Sequence, residues 1–155
     1  MVVSLDSELG LGEDALVEQV DPLGLIGRMH AALGAFYTGG EGLDVVRELL
    51  AEDVEWHVPG HSPIAGDYHG VEAVLAYFAR RRDLAGATFR MFPRETLVGE
   101  THVGVITDGG AVIAGAERWW TTLGLYRIRD GRVAACWLLP LDPEAFDSIW
   151  SASAT

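Results

Sequence analysis

Residues 132–139, RVAACWLL, are apolar at every position after the first, and this run limits the fold more than any other part of the chain. At the two-residue period of a strand, Val133, Ala135, Trp137 and Leu139 share one face, and Ala134, Cys136 and Leu138 share the other. An antiparallel sheet with one side in water alternates apolar and polar residues, so both faces of this strand need a cover. Helices supply one. The simplest candidate for the other is a second copy of the chain. Asp130-Gly131 is a hairpin signal that ties the run to a long strand from about Glu117 to Ile128.

A second stretch, EWHVPGHSPIAGDYHG over residues 55–70, reads as strand, hinge and helix start. Val54, Trp56 and Val58 alternate with Glu55 and His57. Pro59 and Gly60 end the strand, and residues 61–66 read as an ordered loop. Val71, Val74, Leu75 and Phe78 then recur at helical spacing, predicting a helix to about Leu84.

Upstream, Asp21 as cap and Pro22 in the first turn open a helix that buries Leu25, Ile26, Met29, Leu33 and Phe36 before Gly39-Gly40. A shorter helix covers about Leu43 to Leu50. His30 reads as a polar helix position. Downstream, Thr88 to Phe92 and Glu95 to Val98 read as strand broken at Pro93. His102 to Thr107 and Ala111 to Ala114 flank Asp108-Gly109-Gly110, which reads as a hairpin turn. LDPEAFDSIW closes the chain as a helical turn capped by Asp142. Helices early and a meander late define an α+β fold with a curved sheet around the helices.

With 155 residues, 49% hydrophobic and 22% charged, the chain is expected to form one domain over residues 21–150. An acidic tail, 1–20, with a short helix at Glu13 to Val20, and a C-terminal tail, 151–155, flank it. The formal net charge of −12 disfavours nucleic acid and anionic membrane as partners. The cluster Arg80-Arg81-Arg82 falls at a helix C-terminus, where cations offset the helix dipole. One cysteine, Cys136, cannot form an internal bridge. Early acids rule against a signal peptide and no apolar run spans a bilayer, so the expected location is cytoplasmic. His57 and His61 cannot share a helical face across Pro59, and no metal or other cofactor is expected.

The opening helix-helix-strand-hinge-helix order, the run VEWHVPGHSPIAGDYHGVEAVLAYF, the hairpin GLYRIRDGRVAACW and the tail DPEAFDSIW together resemble the SnoaL-like branch of the nuclear transport factor 2-like superfamily. The resemblance covers about residues 22–150. It implies a cone-shaped sheet wrapped around three N-terminal helices, a cystatin-like α+β barrel, with a pocket inside and a homodimer formed through the outer sheet face that includes Trp137. The family includes polyketide cyclases, ketosteroid isomerases, dehydratases, epoxide hydrolases and members without known activity, so fold alone does not settle function.

Carried over by position, the general-base aspartate of the ketosteroid isomerases corresponds to His57, while two oxyanion-hole donors fall at Leu33 and Gly124, which cannot donate from a side chain. If His57 faces the pocket, so does Glu55, two residues away. Trp120, Thr122 and Tyr126 on the long strand, Cys136 and Leu138 on the last, and Tyr37 and Leu33 on the first helix complete the expected lining, with Trp56 shaping a wall. Apolar alternation by itself instead turns Trp56 inward and leaves Glu55 and His57 in solvent. The resemblance implies binding of a small, partly apolar organic molecule and proton transfer of the cyclase, isomerase or dehydratase type, with His57 as acid or base. The alternative is a non-catalytic binding or accessory homodimer.

Overall fold

The computed structural model describes residues 21–154. Helix α1, Pro22–Tyr37, starts where the Asp21 carboxylate accepts a hydrogen bond from the Leu23 amide, and buries Leu25, Ile26, Met29, Leu33, Phe36 and Tyr37. Its three glycines each cost about 1 kcal/mol relative to alanine in a helix interior, so packing of the apolar face must hold it. Helix α2, Leu43–Leu49, runs directly into strand β1, Leu50–Val58. The chain then turns back through β2, Gly66–His69, which pairs antiparallel with β1. This short strand was not foreseen: four residues are too few to carry a periodic signal. Helix α3, Val71–Leu84, presses Val74, Leu75, Tyr77 and Phe78 into the core. Full burial of such side chains stabilises by roughly 1.5–3 kcal/mol each.

Strands β3 (Arg90–Val98), β4 (His102–Ile113), β5 (Ala116–Arg129) and β6 (Arg132–Pro140) form the meander, and helix α4, Pro143–Ala152, closes the chain. The six strands lie in the order β2-β1-β6-β5-β4-β3, with β1 parallel to β6 and the other neighbours antiparallel. The α+β expectation holds. The sheet stays open, with β2 and β3 as edges, so it curves over the helices without closing as a barrel. The break expected at Pro93 is a register shift between Pro93 and Glu95 inside β3.

Asp108-Gly109-Gly110 is not a turn. β4 runs straight through it, and the reversal comes at Ala114-Gly115, both in the left-handed region. The glycines have a packing role: Gly109 lies opposite Trp120 and Gly110 opposite Trp119, and a β-carbon at either would overlap the indole ring across the ladder. Glycine gives a strand room for a large neighbour as readily as it gives a chain room to turn.

α4 fixes the hinge. Asp142 caps it by accepting from the Ala145 amide, Phe146 and Trp150 fill the core, and Asp147 Oδ1 accepts from the amides of His61 and Ser62 at 2.7 and 2.9 Å. Gly60, at φ +101°, leaves space for that carboxylate. The expected helix at Glu13 to Val20 lies outside the described residues. Among the described residues no helix is long and apolar enough to cross a membrane.

Candidate functional site

Between α1, α3 and the inner face of the sheet lies a small chamber of about 40 Å³. Leu33 and Tyr37 reach it from α1, Trp56 from β1, Trp120, Thr122 and Tyr126 from β5, and Leu138 from β6. Cys136 sits fully buried on the same face beside Tyr126 but outside the lining, and burial pushes its thiol pKa far up, leaving it inert. Rings fill most of the interior: Trp120 packs on Phe89, Phe146 and Trp150, and Trp56 on Phe78 and Tyr126.

The register taken from the resemblance is corrected at β1. Trp56 pairs with Cys136 of β6 and Tyr68 of β2 on the inner face, so Glu55 and His57 point to the outer one. There the His57 ring stacks on Trp137 at 5.6 Å and 18°, and its Nδ1 lies 2.7 Å from Asp67 Oδ1. The physical reason is area: an indole gains far more from burial than an imidazole, and the two-residue period permits only one of them inside. Neither Glu55 nor His57 lines the chamber.

Two residues that the sequence presents as a polar helix position and a helix-end cation line the chamber. His30 follows Ile26 by four residues and precedes Leu33 by three, which puts it at the edge of the buried stripe of α1. Its Nε2 lies 3.2 Å from the Tyr126 hydroxyl, the two rings meet edge to face, and burial lowers its pKa to about 4. At neutral pH the ring is a free base hydrogen-bonded to the Tyr126 hydroxyl, whose own pKa burial raises well above 10. Arg81 is the second. It follows Val74 and Phe78 at seven and three residues, the apolar repeat of α3, and is only 6% exposed. The helix-end dipole explanation therefore fails for Arg81. Arg80 stays outside, donating to the Pro63 carbonyl at 3.0 Å, and Arg82 lies over Phe36.

The Arg81 guanidinium lies over Phe89 at 4.4 Å and Trp150 at 5.3 Å and donates to the Tyr77 hydroxyl at 3.0 Å. Among the described residues it forms no ion pair, and its Nε has no hydrogen-bond partner. Tyr37, beside it, has its pKa pushed up to about 12 by burial, against the pull of the cation.

A more open groove of about 450 Å³ adjoins the chamber between α1 and β3, lined by Leu23, Ile26, Gly27, Ala31, Gly34, Pro93, Thr96 and Val105. His30 and Met91 line both spaces. The groove exists because Gly27, Ala31 and Gly34 leave one side of α1 nearly bare; a β-carbon on either glycine would meet nothing within 4 Å. A larger hollow, about 1070 Å³, is a wide surface depression around Arg47, Asp53, Glu72 and Arg129, whose charges pair as Arg47–Glu72 and Arg129–Asp53. Among the described residues no group of three or more histidine, cysteine or acidic side chains is disposed to hold a metal ion.

An open curved sheet cradling helices around a small interior chamber defines an α+β protein of the nuclear transport factor 2-like class. Residues 28–136 match the SnoaL-like domain, and the chain belongs to that family. No curated protein matches it. Among solved structures it is similar to Bal32a, from a soil-derived mobile gene cassette, at 28% identity and TM-score 0.72 over 81% of this chain and 95% of that one. It is also similar in fold to TerC, co-crystallised with polyporic acid, at 20% identity and TM-score 0.67 over 81% and 96% of the two chains. A putative polyketide cyclase from Sinorhizobium meliloti aligns at 19% identity and TM-score 0.61 over 74% and 92%.

Proposed function

We propose that this protein binds a small, partly apolar organic molecule between α1 and the inner face of the sheet and moves a proton on it, as a cyclase or isomerase without cofactor. The observation that carries this reading is the His30–Tyr126 pair, a neutral imidazole hydrogen-bonded to a phenol where chamber and groove meet. Such a pair accepts a proton at nitrogen while the hydroxyl orients the substrate. TerC, similar in fold, was co-crystallised with polyporic acid, so the fold is compatible with an organic ligand. His30→Gln and Tyr126→Phe should abolish turnover while changing ligand affinity only a few-fold. Unchanged turnover in His30→Gln would remove the catalytic role.

A second reading, binding without turnover, draws on the acid–base silence of the empty chamber. With burial holding His30 down at about 4, pushing Tyr37 up to about 12 and raising Tyr126 well above the ordinary phenol range, none of the three titrates near neutrality, where a general acid or base works best. Under that reading His30→Gln leaves the cellular effect intact, and filling the groove removes it.

We further propose that the protein is a cytoplasmic homodimer paired through the outer sheet face. Leu125, Trp137 and Leu139 form a partly exposed apolar stripe there, with Leu97 and Trp119 each more than half exposed. Trp137→Arg should yield a monomer in analytical ultracentrifugation, and a monomeric wild type would rule the dimer out.

A further inference from the structure

Among the described residues Arg81 has no counter-ion, and what surrounds it is specific about the kind of group that would complement it. Burying a guanidinium without a partner is costly, and aromatic faces offset only part of that cost. Among the described residues, three polar side-chain atoms of residues that line the chamber have no partner at full hydrogen-bond geometry: Arg81 Nε, Trp56 Nε1 and the Tyr37 hydroxyl, the last lying close enough to the guanidinium for the cation to oppose the rise of its pKa. The first two are obligatory donors and the third is free to donate, so the guest that satisfies them must accept. About 40 Å³ of free space is little more than one water's share of liquid volume, about 30 Å³, so only a head group of a few atoms fits beside the cation. The adjoining groove is about ten times larger and is lined mainly by apolar side chains, with His30 and Thr96 as its polar members.

We propose that the ligand is an amphiphilic organic monocarboxylate, its carboxylate seated in the chamber against Arg81, Trp56 and Tyr37 and its apolar body lying in the groove along Gly27, Ala31 and Gly34. This rests on the interior being the ligand site, and it adds the charge and shape of the molecule. The polarity of the whole chain gives a kinetic signature. A protein of net charge −12 repels an anion at a distance while Arg81 attracts it at contact, so added salt accelerates association.

The test is calorimetric titration at pH 7 with 4-phenylbutanoate and its neutral analogue 4-phenylbutanamide, on wild type, Arg81→Met and Gly34→Leu. The carboxylate should bind wild type at least tenfold more tightly than the amide, Arg81→Met should erase that preference by weakening the carboxylate far more than the amide, and Gly34→Leu should weaken both by obstructing the groove. Equal affinity of acid and amide for wild type overturns the carboxylate assignment and leaves the interior site standing. Affinities indifferent to Gly34→Leu place the ligand elsewhere and overturn both, as does the failure of either compound to bind. The wild-type comparison of acid with amide decides the charge question even if Arg81→Met fails to fold.

Discussion

The two faces of the sheet use the same residue types for opposite ends. Tryptophan and histidine occur on both. Inside, Trp56 and Trp120 are nearly inaccessible, and His30, reaching in from α1, is held neutral. Outside, Trp119 is half exposed, and His57 lies between the Trp137 ring and the Asp67 carboxylate. Identity of side chain therefore says little about role here. What separates the faces is whether a neighbour closes over the ring: α1, α3 and α4 do so on one side only.

The strongest way to break this comparison is to truncate one tryptophan on each side. Trp150→Ala, in α4 and fully buried among Trp120, Phe89 and Arg81, should cost about 3–5 kcal/mol of stability in urea unfolding. Trp119→Ala should stay within about 0.5 kcal/mol for an isolated chain. A comparable loss at Trp119 would mean that the outer face is also packed, and the dimer would be its cover.

A finer version uses the two glycines of β4. Gly109→Ala pushes a β-carbon into Trp120, which is boxed in by Phe89, Phe146 and Trp150, and should cost about 1–3 kcal/mol. Gly110→Ala meets Trp119, whose half-exposed ring is held by a hydrogen bond to Glu117 and by packing on Phe92 and can shift toward solvent, so the penalty should be smaller. Equal costs would show that Trp119 is held as firmly as Trp120.

These glycines also show where the sequence was legible and where it was not. Helix starts were readable because Asp21-Pro22 and Asp142-Pro143 satisfy first-turn amides locally, and α3 was readable from Val74, Leu75 and Phe78. The Asp108-Gly109-Gly110 error arose because a turn and a ring's landing place demand the same residue, and only the strand opposite distinguishes them. At β1, alternation had already turned Trp56 inward, and the family register was the weaker guide. His30 and Arg81 had a visible signal too, since both fall on the apolar repeats of their helices. They were misplaced because charge and polarity were weighed ahead of position.

Acid should separate the two faces as well. His30 has an ordinary pKa of 6.5 in the unfolded chain and about 4 in the folded one, because burial disfavours its cation. Above pH 6.5 both states leave it neutral and it has no effect. Between 6.5 and 4 the unfolded chain takes up a proton that the fold refuses, so stability falls with pH, by about 2 kcal/mol at pH 5. Denaturant titrations of wild type and His30→Gln at pH 7.5 and 5 measure the difference; parallel losses in the two proteins would show that His30 is as free to ionise as a surface ring.

The smallest effect concerns the bare side of α1. Gly27→Ala adds a methyl group where nothing lies within 4 Å, in a helix interior where glycine is entropically unfavourable, so it should stabilise by about 0.4–1 kcal/mol. Gly24→Ala, whose β-carbon would sit 3.3 Å from the capping Asp21 carboxylate, should gain less. A helix that forgoes stability at Gly27 leaves the groove open beside His30, and the exchange has physical sense only if the groove is used. The measurement is thermal unfolding of both variants. Destabilisation by Gly27→Ala would mean that the helix is already strained there and that the groove is a by-product of packing.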